Sequence, residues 1–146
     1  MRAVYFRAIM VKGDNMKKAF LFVLIVVTVS ACAQNMRAEF QASIDQYGEL
    51  VRKNKMDLAS SFTTDALMEE FSARVRAARN MRVVDYRVAG VKFDEKKGEA
   101  EVRAEIDYYT LSAYRLKTLV DTQKWVYVDE GGKKQWRLVS LLPEFK

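Results

Sequence analysis

The apolar residues of this chain change period near Arg82, and that change limits the fold more than any other feature. Before it, Phe40, Ile44, Tyr47 and Val51 recur at spacings of four, three and four, opposite Arg37, Asp45, Glu49 and Arg52. This is the stripe of an amphipathic helix, expected over Arg37 to Lys53 and weakened at Gly48 by about 1 kcal/mol relative to alanine. Met56, Leu58 and Phe62 continue the apolar pattern to Thr63-Thr64-Asp65, residue types that cap helix N-termini. A second helix follows, with Leu67, Phe71, Val75 and Ala78 inside. Its early Asp65, Glu69 and Glu70 and its late Arg76 and Arg79 complement the helix dipole.

From Arg82 onward the apolar residues alternate, as in a strand with one buried face. Val84, Tyr86 and Val88 share one parity, and after Ala89-Gly90 the parity slips to Val91 and Phe93, the signature of a β-bulge. Asp94 to Gly98 forms the turn. Pairing Asp94 with Glu99 sets Phe93 opposite Ala100 and Val91 opposite Val102; skipping one residue at the bulge sets Val88, Tyr86 and Val84 opposite Ala104, Ile106 and Tyr108. The other face then opposes Lys92 to Glu101 and Arg87 to Glu105. Leu111 to Leu116 reads equally as loop or continued strand. Thr118 to Asp129 and Lys134 to Leu142 form a second hairpin about Gly131-Gly132, with Tyr127 opposite Trp136 and Trp125 opposite Leu138. Val126, Val128, Val139 and Leu141 give its other face an apolar character too. Pro143 ends the strand. Two helices followed by strands define an α+β fold, with N-terminal helices on one face of a curved antiparallel sheet of about four strands.

Ahead of this domain, Lys17 and Lys18 precede an apolar run, Ala19 to Val29, and the small residues Ser30 and Ala31. That is the layout of a secretory signal, and the run falls short of the about 20 residues that span a bilayer. Val29-Ser30-Ala31-Cys32 resembles the lipobox of bacterial lipoproteins. The resemblance implies cleavage before Cys32 and acylation of that cysteine, with residues 32–35 as a tether and 36–146 as a single periplasmic domain. Residues 1–15 fit a mis-set start codon or a long n-region. The competing reading makes Ala19 to Cys32 an uncleaved anchor or a buried helix; its β-branched residues and missing caps count against that. Ala33 stands where an aspartate resembles an inner-membrane retention signal, so the outer membrane is the expected destination.

Removing residues 1–31 changes the charge argument. The whole chain carries a net +6, but that segment holds five basic residues and one acidic residue, leaving 20 against 18. A net of +2 with interleaved signs argues against nucleic-acid binding. Cys32 is the only cysteine, so no disulfide forms within the chain, and the sequence contains no histidine. Ser-His and Cys-His nucleophile pairs and histidine-ligated zinc are thereby excluded, and no metal or cofactor is expected.

The helices-then-sheet plan, the Gln46-Tyr47 helix, the segment Leu58 to Asp65 and the strands around Trp125 and Trp136-Arg137-Leu138 resemble the cone-shaped superfamily of nuclear transport factor, ketosteroid isomerase and SnoaL-like proteins. That resemblance implies a small-molecule pocket between helices and sheet, in some members with a catalytic aspartate. Tyr86, Tyr108, Trp125, Tyr127 and Trp136 would line such a pocket, or else simply form core. Asp107 and Asp121 are the strand carboxylates that could serve as a general base, with solvated surface charge as the plainer role. The expected function is a membrane-anchored, non-enzymatic binding or assembly module. An isomerase-like enzyme with a buried aspartate is the alternative. The expected partners are the bilayer through Cys32, the lipoprotein processing and sorting machinery, and a protein or second copy on the sheet face; Tyr109, Tyr114 and Arg115, near the Leu111–Leu116 connection, would belong to a contact surface or simply to a surface loop.

Overall fold

The computed structural model describes residues 35–146, of which Met36–Lys146 form one unit with a shared core. The leader, the lipobox residues Val29, Ser30 and Ala31, and Cys32 lie outside the described residues. Helix α1 covers 35–52. It is followed by α2 (Met56–Ala59), a 3-10 turn at Ser60–Phe62, α3 (Asp65–Ala77) and a 3-10 turn at Ala78–Asn80. Strands β1 (Met81–Asp94), β2 (Glu99–Thr110), β3 (Lys117–Glu130) and β4 (Lys133–Leu138) form an antiparallel meander in chain order. The fold is α+β, with the helices preceding the sheet and packed on one of its faces.

The helical stripes lie inside. Phe40, Ile44, Tyr47 and Val51 are almost completely buried, as are Phe71 and, more loosely, Val75. Thr64 occupies the N-cap of α3 in extended geometry, but the cap is made by its carbonyl, which accepts from the Leu67 N–H, and not by its hydroxyl. At its other end, α1 stops in a Schellman arrangement: Lys55 N–H donates to Leu50 O and Asn54 N–H to Val51 O, with Asn54 in the left-handed region at φ 58°.

Asn54 also joins the sheet. Its side-chain amide donates to Val83 O at 3.1 Å and accepts from Val83 N–H at 2.8 Å, so it occupies a strand's hydrogen-bonding position on the β1 edge. The expected register holds from Asp94–Glu99 to Tyr86–Ile106, including the skip at Ala89. Beyond that a second irregularity, between Val83 and Asp85, sets Val83 and not Val84 opposite Tyr108. Val83 turns inward, and Val84 is left 54% exposed. The Asn54 clamp on Val83, together with a bond from Tyr86 N–H to the Asp85 carboxylate, accounts for this slip. At the opposite edge, β4 ends at Leu138 and not at Leu142, because Leu138 meets Thr63 in a parallel bridge and Leu142 turns into the core.

The second hairpin pairs as expected, with Glu130 opposite Lys133 and Tyr127 opposite Trp136. Gly131 and Gly132 both have positive φ, as a two-residue turn with the twist of its strands requires. Gly48 has a different purpose. The Tyr86 ring lies so close against α1 that a Cβ at this position would stand 2.5 Å from Tyr86 Cε1. Gly48→Ala should therefore destabilise the protein by about 1–3 kcal/mol through overpacking, despite the helix propensity that alanine gains. Urea unfolding of the variant checks this, and a gain in stability would show that Tyr86 does not sit on the helix.

Candidate functional site

The five aromatic residues expected around a pocket all lie on the helix-facing side of the sheet, but they fill the space they would have to enclose. Trp125 is 1% exposed and meets Tyr47, Phe62 and Phe40 edge-on, with ring centroids 5.6, 6.1 and 6.3 Å away. Trp136 packs against Phe40 at 4.8 Å, Tyr127 at 5.2 Å and Phe93 at 5.6 Å. Tyr108 is covered by Phe145. Such contacts contribute about 0.5–1.5 kcal/mol each beyond burial of area.

Their polar atoms are equally committed. Trp136 Nε1 donates to Met36 O at 3.1 Å, Tyr127 Oη to Glu39 Oε2 at 2.7 Å, Tyr108 Oη to Lys146 O at 2.7 Å and Trp125 Nε1 to Gln123 Oε1 at 3.3 Å. Tyr86 Oη accepts from Gln123 Nε2 at 2.9 Å. None of the five is left with its polar tip directed into an empty space.

Asp107 and Asp121 occupy opposite environments. Asp107 lies on the outer face of the sheet, where it accepts from Arg87 at 2.8 Å and from the Thr118 hydroxyl at 2.7 Å. These bonds lower its pKa, and Asp85 and Glu105 surround the same guanidinium. A carboxylate held ionised in this way is a surface charge and a poor proton acceptor.

Asp121 is buried, 5% exposed, and Gln123 Nε2 donates to its Oδ2 at 2.7 Å. Burial pushes its pKa up to about 6, against the opposing effect of the Gln123 bond. The nearby hydroxyls of Tyr47 and Tyr86 are raised as well, chiefly by burial and then, for Tyr47, by the charge of Asp121. Gln123, itself 1% exposed, joins Asp121, Tyr86 and Trp125 through both ends of its amide. The strand parity carried this information: Leu119, Asp121, Gln123, Trp125 and Tyr127 alternate, so any register that buries Trp125 also buries the aspartate and the glutamine.

A carboxyl with a pKa near 6 could act as a general base, but it would need a route to substrate. Two surface grooves among the described residues do not have Asp121 in their walls. One, of about 320 Å³ between α1 and β1, is lined by Ile44, Asp45, Gly48, Glu49, Arg52, Tyr86 and Val88. Another, about 510 Å³, is lined by Lys92, Glu101, Lys124, Val126 and Val139 together with Phe93, Asp94, Glu99, Ala100 and Trp125. Among the described residues no group of three acidic or cysteine side chains is placed to hold a metal ion. Exposed large apolar side chains among the described residues are Leu58 in α2, Val84, Val88 and Val91 on β1, Val120 on β3, and Tyr114 and Leu116 in the β2–β3 connection, which is a turn and not continued strand. Tyr114 stacks on Tyr109 at 5.8 Å.

A scan against protein-family models gives no match to this chain, and a search of curated proteins finds no match either.

The buried carboxyl has a consequence for stability. Its folded pKa of about 6 exceeds the ordinary 3.8, so the folded state holds a proton more tightly than the unfolded chain. Stability attributable to Asp121 is highest below about pH 4 and falls as pH rises through about 6, by on the order of 3 kcal/mol. Asp121→Asn should remove this fall, and near pH 7.5 the variant should be at least as stable as the parent. Urea midpoints of both proteins from pH 4 to 7.5 check this; parallel curves would contradict it.

Proposed function

We propose that this chain is a bacterial lipoprotein, anchored in the cell envelope through an acylated Cys32, whose periplasmic domain is a non-enzymatic binding or assembly module. The observation that carries the second half is the filled interior. Trp125, Tyr127, Trp136 and Tyr86 pack on one another or on helix residues, Tyr108 packs on Phe145 of the C-terminal segment, and the polar tip of each is bonded within the domain. Recognition is then left to the surface, and the exposed Val84, Val120, Tyr114 and Leu116 offer apolar contact for a protein partner or a second copy.

The first half rests on the leader, with two lysines, an apolar run too short to span a bilayer, and the lipobox ending in Cys32. Among the described residues no helix is long and apolar enough to cross a membrane. Acyl chains contribute about 0.8 kcal/mol per buried methylene, and more than one chain gives stable anchoring. Ala33 after the cysteine favours the outer membrane. The order of helices and strands supports the resemblance to the cone-shaped superfamily, and the space between α1 and the sheet is occupied by Trp125 and its neighbours.

The raised pKa of Asp121 favours a second reading, an enzyme with that residue as base. It requires an opening to Asp121, and Asp121 lines neither the groove between α1 and β1 nor the one lined by Val126 and Val139.

Mass spectrometry of the N-terminal peptide from membrane-extracted protein tests the anchor. The expected product begins at an acylated Cys32, and Cys32→Ala should accumulate unprocessed and without the lipid mass. A free Cys32 in an uncleaved chain would refute the proposal.

A further inference from the structure

Both hairpin tips and the start of α1 lie at one end of the domain. Trp136 Nε1 donates to Met36 O, Tyr127 Oη bonds Glu39, and Arg37 stands 5.4 Å over the Phe93 ring. Phe93 adjoins the β1–β2 turn, and Tyr127 N–H donates to Gly98 O in that same turn. Tyr127 and Trp136 also face each other in the β3–β4 hairpin. From this end α1 and the strands run away together. The 12 residues of β2, at about 3.3 Å each, put the Leu111–Leu116 connection on the order of 35 Å from the tips.

Cys32 is four residues from Met36. Whatever its conformation, a chain of that length reaches at most about 14 Å. We infer that the two hairpin tips, Asp94–Glu99 and Asp129–Lys134, form the lipid-facing end of the domain and lie against the bilayer headgroups, while the Leu111–Leu116 connection points away. This inference rests on acylation of Cys32.

The chemistry of the tips fits contact without insertion. Their twelve residues are charged or glycine: Lys96, Lys97, Lys133 and Lys134 against Asp94, Glu95, Glu99, Asp129 and Glu130, with Gly98, Gly131 and Gly132. There is no apolar side chain to enter the hydrocarbon and no excess positive charge to seek anionic lipid. Orientation is therefore set by the tether and by exclusion of a long body from the membrane. It should not depend on anionic lipid content. The placement also carries Tyr114 and Leu116, with the nearby Val84 and Val120, away from the lipid, where a partner can reach them.

The test uses the processed, acylated protein in vesicles of zwitterionic lipid doped with a headgroup-nitroxide lipid. Acylation blocks the thiol of Cys32, so a fluorophore can be placed singly at Lys96→Cys, Lys133→Cys or Arg115→Cys. Quenching should be several-fold stronger at 96 and 133 than at 115, and unchanged when anionic lipid is added. A flexible insertion of about 15 residues after Ala33, with a mean reach of roughly 22 Å, should reduce the difference. Equal quenching at all three positions in protein that floats with the vesicles would overturn the orientation alone. Protein that fails to float, with a free Cys32, would overturn the anchor and the orientation with it.

Discussion

Trp125 joins the two layers of this domain. Its indole stands on β3 and meets Tyr47 and Phe40 of α1 and Phe62 of the turn after α2, so a single side chain fixes the spacing between the sheet and two helical segments. Phe40 then carries the contact to Trp136 and Phe93, which binds the α1 start to both hairpins. With no disulfide possible inside the chain, this aromatic chain supplies what a cross-link would otherwise supply. The same packing fills the space between helices and sheet around Trp125.

The polar network beside Trp125 is the domain's one internal conflict. Asp121 and Gln123 are buried because they share the parity of Trp125 along β3, and burial raises the cost of the carboxylate. Gln123 satisfies the carboxyl, the Tyr86 hydroxyl and the indole together, which lets polar groups persist in an apolar layer without an orphaned donor. Tyr86 can reach that amide only because Gly48 lets its ring lie on α1.

Much of this was legible from the chain. Helical spacing at Phe40, Ile44, Tyr47 and Val51 and alternation through β1 to β4 gave the α+β plan, and one bulge together with the turn pairs gave most of the register. The slip at Val84 was not legible, because it comes from Asn54, 29 residues upstream, bonding to Val83. The early end of β4 has a similar tertiary origin in Thr63 and Leu142. For the candidate site, periodicity placed the aromatics on the correct face but could not tell a lined cavity from a filled one, since both present the same side chains at the same parity. Gly48 read as a weak point in a helix and proved to be a point of close approach.

Trp125 stands in this domain as a core residue and not as the wall of a ligand pocket. The unfolding free energy of Trp125→Ala distinguishes the two roles. A buried indole with three aromatic neighbours should cost about 3–5 kcal/mol on truncation, enough to unfold a domain of marginal stability. A pocket-lining tryptophan would be lost at little cost, and a change below about 1 kcal/mol would show that Trp125 is not a core residue.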